Sequence, residues 1–225
     1  MKYLPKEAPE PVAFVDSISE LSPDDNQLYR KTSYISLLKK VNLRRFLISE
    51  QHGLCLYCQS QIELTTSLIE HYLPQSTYRT ESLTYTNLYA GCDCDKFRGH
   101  TNNKDKFSIS VSDTEDRFCG HHKDSTELTW SPVKELKAFA TTTSGNPYFE
   151  VNTETGVVKG IGENEGLVNE FIQICNLNHK LLKRARSEAF KAVTESGLTL
   201  KEMIICVASN PELAYNQFIL NGLVV

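Results

Sequence analysis

Cys55 and Cys58, separated by two residues, are followed by Cys92, Cys94 and Cys119. Thiolates at such short spacings suit a tetrahedral zinc ion, whose four ligands commonly come from two close pairs brought together by the fold. Cys55 and Cys58 supply one half. The other half must come from Cys92, Cys94 and Cys119, one more cysteine than the site needs. Between the two groups lie Glu70-His71 and Asn87, and directly after Cys119 comes Gly120-His121-His122-Lys123. A carboxylate offers a hard oxygen to a cation, and a neutral imidazole can take a proton near pH 7. Together with an amide and a late histidine, these are the groups that metal-assisted cleavage of a phosphodiester requires.

The elements that must position these groups are short. Tyr34, Leu38, Val41 and Phe46 recur at near-helical spacing up to Glu50, and Gly53 ends that helix just before the first cysteine pair. From Leu54 to Lys123 periodicity is poor and Cys, His, Asn and Gly are dense, which predicts a small core pinned by metal. Within it Ser67–His71 reads as a strand stopped by Pro74. Strand alternation sends Glu70 and His71 to opposite faces unless the strand end is irregular, and a turn forced by Pro74 would supply that irregularity. The polar stretch from Asp93 to Phe118 reads as an insertion loop.

Residues 1 to 30, broken by Pro5, Pro9, Pro11 and Pro23, read as an extended arm with at most one short helix. On the other side, Tyr148–Val151 and Val157–Ile161 flank Asn152-Thr153-Glu154-Thr155-Gly156 and predict a β-hairpin. Helical patterns follow over 166–175 and 177–195, the latter closed by Gly197. Thr199 with Glu202 forms a capping box for a third helix, and Asn210-Pro211 reads as the start of a fourth. The expectation is an α+β chain in three parts: an N-terminal arm and helix (1–49), a zinc-pinned core (50–125), and a hairpin with a mainly helical region (126–225).

Composition sets the remaining bounds. With 225 residues, 40% of them hydrophobic, the chain can build a real core. It opens without a signal-type apolar stretch and has no run near the roughly 18 apolar residues of a membrane helix, so a cytoplasmic protein is expected. Seven cysteines, five of them between 55 and 119, point in a reducing compartment to metal rather than disulfides. Cys175 and Cys206 sit in helical patterns and read as ordinary buried residues. A net charge of -4 argues against a binder driven by charge alone and leaves two basic patches, Lys39-Lys40 with Arg44-Arg45 and the stretch 180–186, either as local contacts for nucleic acid or as solvated helix faces. Tyr57, Tyr72 and Tyr78 are read as packing on the metal knuckle rather than stacking on bases, and His52 and His179 as surface residues.

The runs Leu54–Cys58, Ile69-Glu70-His71-Tyr72-Leu73-Pro74, Tyr85–Cys92 and Cys119-Gly120-His121-His122-Lys123 resemble an HNH endonuclease of the cysteine-rich ββα-metal class, more narrowly the PtuB family of retron and Septu-type anti-phage systems. Cys175-Asn176-Leu177-Asn178 is similar to a later segment of that family. The resemblance implies a ββα-metal core and makes His71 the general base, Glu70 a metal ligand, Asn87 the residue that orients the base and His121 the last metal-binding residue. It also implies a catalytic Mg²⁺ or other divalent cation held by Glu70 and His121. A structural Zn²⁺ would sit on Cys55, Cys58, Cys92 and Cys119, since the family's third cysteine falls five residues after the asparagine.

The long interval between Cys92 and Cys119 departs from that pattern and leaves Cys94 as an alternative fourth ligand, and His122 or His100 as alternatives to His121. Nucleic-acid contacts are expected from Lys123, Lys180, Lys183 and Arg184. The first expectation is thus a nuclease cutting DNA, with RNA as the alternative substrate, and the family link further implies an ABC/SMC-like ATPase as partner and a retron reverse transcriptase with its RNA-DNA product as further members. The competing expectation is an inactive zinc-stabilised module whose C-terminal helices bind another protein.

Overall fold

The computed structural model describes residues 6, 9–18, 34–94, 116–130 and 148–224. His100, most of the N-terminal arm and most of the expected insertion loop lie outside these residues. The described chain is mixed helix and small antiparallel sheet, in agreement with the α+β expectation. Among the described residues no helix is long and apolar enough to cross a membrane.

Two helices lead into the metal region: α1 (Val12–Ile18) and α2 (Tyr34–Glu50). Leu43 and Leu47 of α2 are fully buried, and Phe14 of α1 packs on Phe46 and on Tyr85 at ring separations of 5.9 and 5.0 Å. Gly53, at φ +73, closes α2 by donating its N–H to the Ile48 carbonyl at 2.8 Å. Lys6 latches the chain before α1 onto this side: its ammonium lies 2.7 Å from Glu50 and 4.3 and 4.7 Å from the ring centres of Tyr85 and Tyr89.

Strands β1 (Ser67–His71) and β2 (Leu88–Cys92) pair antiparallel, from Ser67 opposite Cys92 to His71 opposite Leu88. A four-residue helix, α3 (Gly120–Lys123), follows. The hairpin lies where expected, as β3 (Phe149–Val151) and β4 (Val158–Gly160). Its Gly156 is demanded twice over, by φ +68 and by the close approach of the backbone at Lys183, because a Cβ there would stand 1.9 Å from the Lys183 carbonyl oxygen.

Helices α4 (Glu165–Ile174), α5 (Lys180–Thr194), α6 (Leu200–Ser209) and α7 (Asn216–Val224) complete the chain. The Thr199–Glu202 capping box is present at the start of α6. The fourth C-terminal helix starts at Asn216 rather than at Asn210-Pro211. Asn210 instead ends α6, its backbone N–H donating to the Val207 carbonyl, and Tyr215, at φ 60, donates its N–H to the Gln59 carbonyl at 2.9 Å. Docking on the cysteine knuckle thus outweighs the local helix-start signal.

Candidate metal and catalytic site

The first cysteine pair sits on a tight turn. Leu54 and Gln61 bridge at its base, and Cys55 donates its N–H to the Ser60 carbonyl while Gln59 donates to Cys55. Gln51 ties this turn to β2, its side-chain amide bonding the Leu54 carbonyl and both the N–H and the carbonyl of Ala90. Cys92, the last residue of β2, is thereby carried to the knuckle and donates its N–H to the Cys55 sulfur at 3.3 Å.

Cys119 completes the group. Its N–H donates to the Cys175 carbonyl at 2.8 Å, which holds the residue at φ 55, a conformation L-residues adopt rarely. The sulfurs of Cys55, Cys58, Cys92 and Cys119 all lie within 4.8 Å of one another and all four residues are buried. A tetrahedron with Zn–S bonds of about 2.3 Å has edges of about 3.8 Å, and the Cys58–Cys92 sulfurs are 3.8 Å apart. The donor set fits a metal such as zinc, and the four ligands are those expected.

Three of these thiols are displaced from their ordinary range, in opposite directions. Burial opposes ionisation of Cys58, but hydrogen bonds from Cys119, Cys55 and Cys92 outweigh it and hold that thiol well below its ordinary value. Burial pushes the Cys119 thiol well up. For Cys92, the hydrogen bond with Cys119 favours the thiolate, yet those with Cys55 and Cys58, together with burial, push it up as well. Ionising more than one of these buried thiols would need a cation to offset their repulsion.

Cys94 is not in this group. It is buried with its sulfur 2.8 Å from Nδ1 of His121. His122 turns the other way, its Nδ1–H donating to the Ile174 carbonyl at 2.8 Å. Neither imidazole is hydrogen-bonded to Glu70 or His71.

β1 is regular through His71, so the irregularity expected at its end does not intervene before that residue. Glu70 faces inward, only 7% exposed. Its Oε1 accepts the Tyr57 hydroxyl at 2.8 Å and lies 3.5 Å from the Lys123 ammonium. Burial nevertheless raises its pKa above the usual carboxylate range, against the opposing pull of Lys123 and Tyr57. Its Oε2 is set against Gly120, where a Cβ would stand 2.1 Å away.

Lys123, expected to meet nucleic acid, is instead 1% exposed, with its charge turned to Glu70 and to the His71 and Asp124 carbonyls at 3.3 and 3.4 Å. Lys180 and Arg184 stay exposed, Lys180 3.6 Å from Asp116 and Arg184 paired with Glu188 at 2.7 Å, while Lys183 is half-buried on the same helix. Arg186, by contrast, is buried and bonds the Gly156 and Leu177 carbonyls.

His71 presents a different chemistry. Its Nε2 lies 3.1 Å from the Ser82 carbonyl oxygen, which only accepts, so the proton sits on Nε2 and the Nδ1 lone pair is left available. Burial holds the ring below the usual histidine range and the Lys123 charge adds to that, against the opposing Ser82 bond. The ring is therefore neutral near pH 7. Asn87 acts on it through the backbone: Oδ1 accepts the Leu73 N–H at 2.6 Å, and Nδ2 donates to the Leu73 and Glu81 carbonyls at 3.3 and 2.9 Å. It thus laces both ends of the loop that brings Ser82 to His71.

Three other expectations meet the structure here. Tyr57 packs on Phe171 beside the knuckle and Tyr72 on Tyr89, but Tyr78 is only half-buried and donates to Glu127. His52 is exposed as expected, whereas His179 is buried, caps α5 by accepting the Leu181 N–H and packs on Phe118. Cys175 is buried and Cys206 exposed. The role of Ser82 leaves no trace in the sequence because it is played by a backbone carbonyl.

A hard divalent cation such as Mg²⁺ takes near-octahedral oxygen coordination. Among the described residues, the four cysteines form the group of three or more His, Cys, Asp or Glu side chains that gathers. Glu70 is engaged by Tyr57 and Lys123, and His121 by Cys94. This donor set does not fit a magnesium ion on Glu70 and His121. No protein-family model matches the chain, and no curated protein matches it.

Proposed function

We propose that the chain is an endonuclease that hydrolyses phosphodiester bonds of nucleic acid, DNA in the first instance, with a zinc-clamped HNH core as its scaffold. The observation that carries this reading is His71: a neutral ring, fixed through Nε2 by the Ser82 carbonyl, with Nδ1 free to take a proton from water. Asn87 holds the loop that fixes the ring. Zinc on Cys55, Cys58, Cys92 and Cys119 keeps β2 and α3 in place around β1. The exposed basic residues of α5, Lys180 and Arg184 with Lys183 beside them, offer phosphate contacts.

Membership of an anti-phage complex with an ABC/SMC-like ATPase, with a retron reverse transcriptase and its RNA-DNA product alongside, rests on the motif resemblance alone. So does a Mg²⁺ requirement, and plasmid nicking with and without Mg²⁺ decides that point. His71→Ala tests the base: cleavage is lost while fold and zinc content stay intact, and nicking retained in that variant removes His71 from the role.

One observation favours a second reading, a zinc-held interaction module without activity. Glu70 has a structural partner in Lys123, so its presence no longer requires catalysis. That reading expects no cleavage by the wild-type chain under any divalent ion.

A further inference from the structure

The Lys123 ammonium has three acceptors: Glu70 Oε1 at 3.5 Å, the His71 carbonyl at 3.3 Å and the Asp124 carbonyl at 3.4 Å. An ammonium carries three N–H donors, so its capacity is filled. A carboxylate with two peptide carbonyls is also an oxygen set that a hard divalent cation would use. The pocket is closed around this arrangement. Tyr57 donates to the same carboxylate oxygen, Gly120 leaves no room on the far side of the carboxylate, and Lys123 is 1% exposed.

We infer that Lys123 is a resident cation: its ammonium occupies the place beside Glu70 that a divalent ion would take, and Glu70 is not a ligand of such an ion. Lys123 then joins α3 to the end of β1 at the peptide of His71. The inference rests on the reading of residues 70 and 71 as a candidate hydrolytic centre. Its test does not require cleavage.

The test uses the full-length, zinc-loaded chain and two readouts. Mn²⁺ binding, followed by electron paramagnetic resonance of the free ion, is expected to be the same in the wild type and Glu70→Gln. Changing even an outer-shell partner of a ligand weakens metal affinity by about 10–100-fold, so a wild-type Mn²⁺ site weakened by about tenfold or more in Glu70→Gln overturns the inference. Urea midpoints of Glu70→Gln, Lys123→Met and the double variant form a cycle. The double variant is expected to be less destabilised than the two singles added together, whereas additive effects overturn the pairing. If a single variant fails to fold, a double variant that does fold shows the same coupling. A wild type that cuts no nucleic acid sinks the nuclease reading and leaves both readouts to be scored.

Discussion

Gly120→Ala probes directly how the Glu70 carboxylate is seated. The new Cβ would lie 2.1 Å from Glu70 Oε2 and 2.8 Å from its Cδ, where side-chain carbons essentially never come closer than 3.0 Å. The carboxylate must therefore retreat from 2.1 to at least 3.0 Å. A shift of that size at Oε2 disturbs the 2.8 Å Tyr57 bond and the 3.5 Å contact with Lys123, both made by Oε1. A lost hydrogen bond to a charged group costs about 1.5–3 kcal/mol, and breaking a buried ion pair outright about 3–5 kcal/mol. Here the pair is loosened rather than broken, and alanine returns about 1 kcal/mol of helix propensity in α3. The net expectation is a destabilisation of about 2–4 kcal/mol.

Urea unfolding of the zinc-loaded protein, followed by Trp130 fluorescence, measures this. Gly166→Ala is the control, because its Cβ would meet nothing within 4 Å and α4 should gain up to about 1 kcal/mol. Coinciding midpoints for the two variants would show that Glu70 is not seated against Gly120 and would refute the reasoning.

Further outcomes follow from the same geometry. Cys119→Ser should lose the bound zinc and much of the stability that goes with it, whereas Cys94→Ser should keep one zinc per chain by atomic absorption. Asn87→Ala removes three hydrogen bonds in a buried setting and should cost about 2–4 kcal/mol in chemical denaturation, with slower nicking as the loop around Ser82 loosens. The folded-state pKa of His71 is lowered, so the unfolded chain binds more protons as acid is added. The stability contribution of His71 is therefore present above about 6.5 and is lost as pH falls from there towards the folded value. If His71 is the base, nicking should rise with pH through a midpoint below about 6.5 and be flat at neutrality; a midpoint above 7 contradicts the assignment.

What the sequence disclosed was local. The helix from Tyr34 to Glu50 announces itself by apolar spacing and Gly53, the hairpin by Gly156, and α6 by the Thr199–Glu202 pair. The four-cysteine group was legible up to one choice, since short cysteine spacings carry their own chemistry, and the fold brings Cys119 into it by placing its backbone against Cys175. The misjudged side chains had partners far away along the chain. A lysine is normally solvated, and Glu70 and the His71 carbonyl, both distant in sequence, account for a buried Lys123. His179 looked exposed until Asp116 and Phe118 came to stand beside it. Asn210-Pro211 carried a sound helix-start signal that lost to the Tyr215–Gln59 bond. Glu70 and His71 followed plain strand alternation, and the sequence held no sign of whether Pro74 would disturb it.

Cys175 and Tyr215 each lend a backbone group to the cysteine turns, one grasping Cys119 and the other Gln59. The metal chamber is therefore walled on one side by segments that follow it by more than half a domain of chain. Residues 50–125 cannot close that wall by themselves. An ion held by the four thiols would, on withdrawal by a chelator, make itself felt in α4 and α7, and a fragment cut before residue 148 would lack the surface that seats its own fourth cysteine.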